Sequence, residues 1–493
     1  MPPSINEARA AVERAVRSLV ESAESAEKFA EFESIAWVRL LAVGRAVVLL
    51  FLARRACAPM AVEYRHAGAL WSLAEWRTTE LGTRFGKVDF MRRIGRRTGF
   101  FRRGKADLPL DRALGLVGGF SLGAATALAR LCAQMAFAQA RATMSAFFEW
   151  APSPRATLRI IDALGGHARA FLSQVPAPTD DGEVLVAEVD GGGAPAISSR
   201  ELRRRRKPKK HRRGRRDRRE HRRANPRARR GKGKKSKNSK VAFVGVLFTL
   251  KQGPDGTMEG PINKRMIATF DSHRALFEWL HAEAVKRGYG TKRTIFIADG
   301  SDHIWKLQKE FFPLAEACID WWHVVEYLWT AAGCLHAEGS PERRAWVDEQ
   351  KRRLRRGHVK LVLDTIAAAH RAIPKTGPGN KGRRERLLDT HEYLAEHQHR
   401  MIYKRLRRDD LDIGSGAVEG AVRNLVRMRL DGPGMRWGRD RAEMMLHLRC
   451  VLLNGEWEDF ERYLARQTIT LAANPKPTRT HDAKPNAPLA EAA

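Results

Sequence analysis

The chain has 493 residues, enough for two to four domains with a sizeable buried core. It carries 90 Lys+Arg against 56 Asp+Glu, a formal charge of +34, with a pI of about 10.7. That balance points to a polyanion as partner, nucleic acid before a membrane surface. The five cysteines are scattered without C-x-x-C spacing, so neither a zinc site nor a disulfide framework is indicated, and reduced cytosol is the expected compartment.

Residues 5 to 56 carry a helical pattern. Ala8, Ala11, Val12, Ala15, Val16 and Leu19 share one stripe, and Ile35 to Leu52 is apolar on most sides. Arg39 and Arg45 interrupt the Ile35–Ala53 window, so it reads as a packed or self-associating helix before a membrane span. Glu7 and Glu13 precede any apolar run, which is unlike a signal peptide. Thr83 to Arg103 mixes alternation with eight Arg/Lys and predicts a basic hairpin, either a solvated face or a DNA contact. From Ala113 to Gly165 the pattern is helix, turn, helix. Ser153 is the expected N-cap and Pro154 the first helical residue of an element that carries Arg155 and Arg159. Such a helix suits a major groove, although short helical hairpins are also common as plain scaffold.

After a Pro/Asp linker, Val184 to Asp190 predicts a strand ending on its aspartate, with Gly191-Gly192-Gly193 behind it. Residues 200 to 240 hold 24 Lys/Arg against 3 Asp/Glu, a net +21, and a tract so charged and so poor in apolar residues is expected to stay disordered. Strands are predicted at Val241–Leu250 and Arg265–Phe270, then a helix capped by Ser272. Ile295–Ala298 is a short strand ending on Asp299-Gly300, His303–Phe312 a helix, and Ala315–Ile319 a strand ending on Asp320. Three strands followed by alternating helices and strands is the order of a ribonuclease-H-like mixed sheet, an α/β class whose strand ends take ligands. Taken alone, Asp299-Gly300 reads more readily as a plain turn.

Pro341–Arg356, Val359–Ile373 and Arg383–His397 predict helices with no strand between them, an all-α insertion. Asp412-Ile413-Gly414-Ser415-Gly416 then leads into a helix with Glu419, Arg423, Arg427 and Arg429, and Met435-Arg436-Trp437 opens the last helices. The expected organisation is a mainly helical, DNA-binding N-terminal region with a basic hairpin over 1–110 and a helix-turn-helix-like segment over 111–170. A catalytic core follows in two parts, 183–330 (with the loop 200–240) and 411–465, separated by the insertion 331–410. The segment 466–493 is expected to be a disordered tail.

Asp190, Asp299 and Glu419 stand where converging elements would bring three carboxylates together. Hard divalent cations want such oxygens, and two of them serve phosphodiester cleavage by activating the attacking oxygen and stabilising the leaving one. The plainer reading of Glu419 is a helix ion pair with Arg423. His323 either positions a phosphate or nucleophile or packs beneath Trp321 and Trp322, and the two tryptophans are either core or a platform for base stacking.

The segments VDGGGAP (189–195), IADGSDHIW (297–305), CIDWWHVVEYLW (318–329), GSGAVEGAVRNLV (414–426) and GPGMRW (432–437) resemble the bacterial insertion-sequence DDE transposases of the ISKra type, relatives of the Mutator-like group with its C/D-x-x-H signature. The resemblance spans residues 80 to 460. It implies a ribonuclease-H-like domain interrupted by helices, with Asp190, Asp299 and Glu419 as ligands of two Mg²⁺ or Mn²⁺ ions and Asp320 and His323 as the D-x-x-H pair. His323 is counted with the three acids as catalytic. Double-stranded DNA, both element ends and target, is the implied partner, contacted through Arg155, Arg159, Arg423, Arg427, Arg436 and Trp437. A homo-oligomer on DNA, in the cytoplasm at the nucleoid and away from membranes, is expected. A nuclease or resolvase without strand transfer, or an inactive DNA-binding descendant, are the competing expectations. Two features depart from the family: the long basic loop after the first strand, and the lack of Cys pairs near the hairpin, so no zinc is implied.

Overall fold

The computed structural model of the protein describes residues 4–99, 106–198, 200, 239–432, 435–467 and 469, and the architecture is mixed α/β. Nearly all of the basic tract 200–240, Arg102 and Arg103 of the expected hairpin, and nearly all of the expected tail lie outside the described residues. The chain divides into two compact units, one of residues 1–128, 137–164 and 464–493, the other of 129–136 and 165–463.

The first unit opens with the helices Ile5–Ser25 and Phe29–Ala56. Ser4 caps the first, its hydroxyl accepting from the Glu7 N–H. Phe29–Ala56 is long and apolar enough to cross a membrane. On one side it buries Leu41, Ala46, Leu52 and Ala53, and Leu52 packs with Leu81, Val88, Phe90 and Leu110. Those partners belong to a three-stranded antiparallel sheet, β1 (Glu63–His66), β2 (Ala69–Thr83) and β3 (Gly86–Arg97), and to the short helix Pro109–Ala113. The sheet corrects one expectation: the hairpin turns at Arg84-Phe85, so Thr83–Arg97 is one arm of it instead of the whole. Gly86, at φ +119°, and the Thr83 hydroxyl, which donates to the Gly86 carbonyl and accepts from the Phe85 N–H, close that turn. Beyond it lie the helices Leu122–Gln134, Phe137–Phe148 and Pro154–Gln174. The expected Ser153 cap is present, accepting from the Ala156 N–H.

The second unit is built on a five-stranded sheet in the order β7-β6-β4-β8-β9, with β4 Val184–Ala194, β6 Lys240–Gln252, β7 Met258–Thr269, β8 Arg293–Ala298 and β9 Glu316–Ile319, while the two-residue β5, Ala196–Ile197, pairs in parallel with Trp437–Gly438. β4 runs antiparallel to β6 and parallel to β8, and β9 is parallel to β8. One face is covered by the helix His273–Lys286. Leu276 and Leu280 lie against Gly245, and Phe277 meets Phe296 with ring centroids 5.6 Å apart. The other face carries the even-numbered side chains of β4, among them Glu188 and Asp190, and is covered by the helical stretch that starts at Gly416.

β4 does not stop at Asp190. It continues through all three glycines, pairing Gly191 with Phe243 and Ala194 with Lys240. Glycine is a poor strand former, and the run is strand for a steric reason. A Cβ at Gly192 would lie 2.8 Å from Val422 Cγ1 and 3.3 Å from Val426, so only glycine lets the helical stretch lie this close to the strand. From Trp321 to Arg408 the described elements are helices: Trp321–Leu335, Pro341–Arg355, Val359–Ala372, Asn380–His397, a single 3₁₀ turn at Gln398–Arg400, and Tyr403–Arg408. Ser340 caps the second as expected.

Candidate active site

Register places the first two acids. β4 and β8 pair in parallel up to Val189 opposite Ala298, so Asp190 and Asp299 are the next residues on neighbouring strands. Asp190 is half-buried, and its Oδ1 accepts the Gly191 N–H at 2.6 Å. Burial pushes its carboxyl up, the Gly191 N–H opposes that, Asp299 raises it further, and His323 and Arg427 pull it down. Asp190 therefore shares its surroundings with three charged neighbours, Asp299, His323 and Arg427. Asp299 Oδ1 accepts the Ser301 N–H at 3.0 Å, closing the turn into the helix Asp302–Phe311. The acid and the turn are therefore one device. Gly300 is required there because a Cβ would sit 2.2 Å from the Tyr393 ring, which itself stacks on Tyr327 at 3.8 Å.

Asp320 ends β9 and is the N-cap of Trp321–Leu335. Its carboxylate is fully buried and its acceptors are taken. Oδ2 accepts from the His323 N–H at 2.8 Å and from His323 Nδ1 at 2.7 Å, and Oδ1 accepts from the Ser415 N–H at 2.6 Å. Burial would raise this carboxyl, but the hydrogen bonds from His323 and Ser415 hold it below the usual range. The bond to Asp320 in turn raises His323 to about 9 against its own burial, so the imidazole is a cation at neutral pH. The i, i+3 spacing of the D-x-x-H pair is thus an N-cap closed by a charge-assisted hydrogen bond.

Glu419 sits in the first turn of the helix Gly416–Val422, exposed, and its Oε1 accepts from Ser415 Oγ at 3.3 Å. It makes no ion pair with Arg423 among the described residues. Val418 N–H donates to Glu188 Oε2 at 2.7 Å, pinning the start of this helix to β4. Glu188 was not singled out from the sequence, yet it lies two residues before Asp190 on the same face. A charged residue inside a buried strand was the available signal. Burial pushes its carboxyl up to about 8, partly countered by the Val418 N–H and aided by Asp412, Asp320 and Glu419.

The helix continues as a π-helical turn at Arg423–Arg427 and then Met428–Leu430. π-helical turns often occur at functional sites. Arg423 and Arg427 are exposed, as is Arg436, while Arg429 is buried. In the first unit Arg155 is exposed and Arg159 half-buried. Trp437 differs from expectation. It is 5% exposed, its indole N–H donates to the Leu430 carbonyl at 3.0 Å, and the Arg429 guanidinium lies 4.8 Å from its ring. An aromatic so enclosed is core and does not present a face to DNA.

Among the described residues, the group of three whose ligand atoms all come within 4.8 Å is Asp320, His323 and Glu419. The donor chemistry of that group is poor for a hard cation, since both Asp320 oxygens are committed to three N–H groups and His323 offers a nitrogen. Asp190, Asp299 and Glu419 offer hard carboxylate oxygens that suit Mg²⁺ or Mn²⁺ better. The closest hydrogen bonds of Asp190 and Asp299 are single backbone N–H groups beside them. No family model matches the chain, and no curated protein matches it.

Proposed function

We propose that the protein is a DNA transposase of the DDE kind, with a ribonuclease-H-like core interrupted by the helices between Trp321 and Arg408. The observation that carries this reading is the position of Asp190 and Asp299, each one residue beyond the last pair, Val189 with Ala298, of two adjacent parallel strands, beneath a helix that bears Glu419. The strand order, with the antiparallel second strand next to the first, and the resemblance of the five sequence segments support the same core. The +34 charge supports DNA as the partner.

Asp190, Asp299 and Glu419 would hold two divalent ions, which supply activation of the attacking oxygen and stabilisation of the leaving one. The rest falls to the chain. Asp320 fixes His323 in one orientation and keeps it protonated, so Nε2–H is a charged donor for a phosphate oxygen. Arg427, close enough to depress Asp190, adds positive charge where a phosphodiester would lie. Glu188 and Gly192 seat the Glu419 helix on the sheet.

The test is incubation with Mg²⁺ and a supercoiled plasmid that carries the element's ends, followed by analysis of nicked, linear and joined products. Strand-transfer products are expected. Cleavage without joining would assign a nuclease or resolvase instead, and no metal-dependent cleavage at all would refute the proposal.

A further inference from the structure

A cleft of about 570 Å³ opens in the second unit beside the start of the Gly416–Val422 helix, and none of Asp190, Asp299 and Glu419 lines it. Its size is that of a small-molecule site. The wall includes Phe248 from the sheet, Trp321 and Trp322, and three cations from separate elements: Lys264 of β7, Arg355 at the end of Pro341–Arg355, and Arg407 of Tyr403–Arg408.

The two tryptophans are placed differently. Trp321 is buried, its backbone N–H donates to the Ile413 carbonyl, and Arg355 lies 4.8 Å from its ring, which fixes that guanidinium at the wall. Trp322 is 53% exposed. Its indole is seated on Gly414, where a Cβ would come within 2.8 Å of Nε1. An indole held by glycine with half its surface free is a ready stacking face. None of Lys264, Arg355 and Arg407 has an ion-pair partner among the described residues. Against these three cations the wall carries two carboxyl groups, Asp412 and Glu188, and the latter is already bonded to the Val418 N–H.

An aromatic platform beside unneutralised cations selects a ligand with a flat heteroaromatic ring and a phosphate. We propose that this cleft binds one nucleotide, its base against Trp322 and its phosphate on Arg355, Arg407 and Lys264. The same chemistry comes from a free nucleoside phosphate or from an unpaired nucleotide at the end of a DNA duplex. The assignment rests on the lining of the cleft and not on the carboxylate site.

The experiment uses the full chain and a ribose-labelled fluorescent ATP, displaced in turn by ATP, inorganic triphosphate, a blunt duplex and the same duplex with a one-nucleotide overhang. Inorganic triphosphate reports the non-specific attraction of so basic a chain, and the difference between it and ATP reports the base. ATP is expected to compete about tenfold better than triphosphate, in line with the usual contribution of one stacked base. Trp322→Ala should abolish that preference, Trp322→Phe should retain most of it, and Arg355→Ala with Arg407→Ala should weaken ATP more than Trp322→Ala does. If the overhang beats the blunt duplex by a margin that Trp322→Ala removes, the source is a DNA end. If the duplexes compete alike while ATP keeps its advantage, it is the free nucleotide. Equal competition by ATP and triphosphate in the wild-type chain, or an ATP preference that survives Trp322→Ala, would overturn the proposal.

Discussion

Gly192→Ala should separate the seating of Glu419 from the stability of the sheet. The added methyl would meet Val422 Cγ1 at 2.8 Å and the Val426 side chain at 3.3 Å. Carbon atoms rest about 3.5–4.0 Å apart, so the helix must move by about 1 Å. Val422 has little rotamer freedom in a helix and cannot turn aside. Overpacking of this kind costs about 1–3 kcal/mol, which for a unit of this size lowers Tm by roughly 2–4 °C per kcal/mol. The larger effect falls on chemistry, because a displacement of about 1 Å in a catalytic group costs on the order of 10²-fold in rate. Gly191→Ala is the control. Its methyl would meet Val241 Cγ1 at 2.8 Å on the opposite face of the strand, away from Glu419. The assay is Mg²⁺-dependent nicking of supercoiled plasmid, run beside a thermal melt. Both variants should lose similar stability, and only Gly192→Ala should lose about two orders of magnitude in rate. Equal rates in the two variants, whatever their melting points, would refute the claim that Gly192 seats this helix.

His323→Ala should impair strand joining more than initial cleavage while leaving the metal requirement unchanged; full joining by this variant would make the histidine a packing residue. Burial pushes Glu456 up to about 7, against the pull of Arg265 and with the push of Glu283. The folded state therefore holds a proton that the unfolded state, with a carboxyl near 4.5, has released, and stability should fall as pH rises from about 4.5 to 7 and level off above. In Glu456→Gln that part of the fall should vanish from melts taken between pH 5 and 8, and an unchanged slope would contradict the assignment. Deleting residues 200–240, net charge +21, should flatten log affinity against log salt by about 0.9 per lost phosphate contact. Preference for the element's ends over random duplex should survive the deletion, and an unchanged slope would remove the tract from DNA binding.

The parts of the fold legible in the sequence were those with a local cause. Ser153, Ser272 and Ser340 each cap the helix their position announces, and the buried strands Val241–Leu250 and Ile295–Ala298 follow from apolar β-formers alone. What escaped depends on distant partners. Gly191 to Gly193 look like a strand terminator until the helix that needs Gly192 is in place. β2 hides because a register shift between Leu73 and Trp76 breaks its alternation. Trp437, beside Arg436, resembles a surface reader of DNA, and only the enclosing Arg429 and Leu430 make it core. Asp320 and His323 were visible as a pair at helical spacing. The commitment of both Asp320 oxygens to N–H donors needed Ser415, 95 residues away, to be seen.

The central claim is that Asp190, Asp299 and Glu419, and not Asp320 with His323, hold the metal ions for strand cleavage. The most direct test measures Mg²⁺-dependent nicking of end-bearing plasmid by Asp190→Asn, Asp299→Asn, Glu419→Gln and Asp320→Asn, with DNA binding by each followed in parallel. The account predicts that the first three bind DNA as the wild type does and cleave at least 10³-fold more slowly, in line with what charged groups at a transition state supply. Asp320→Asn should keep measurable cleavage with the same Mg²⁺ dependence. Wild-type nicking by Asp190→Asn or Asp299→Asn, or a loss of cleavage confined to Asp320→Asn and Glu419→Gln, would contradict it.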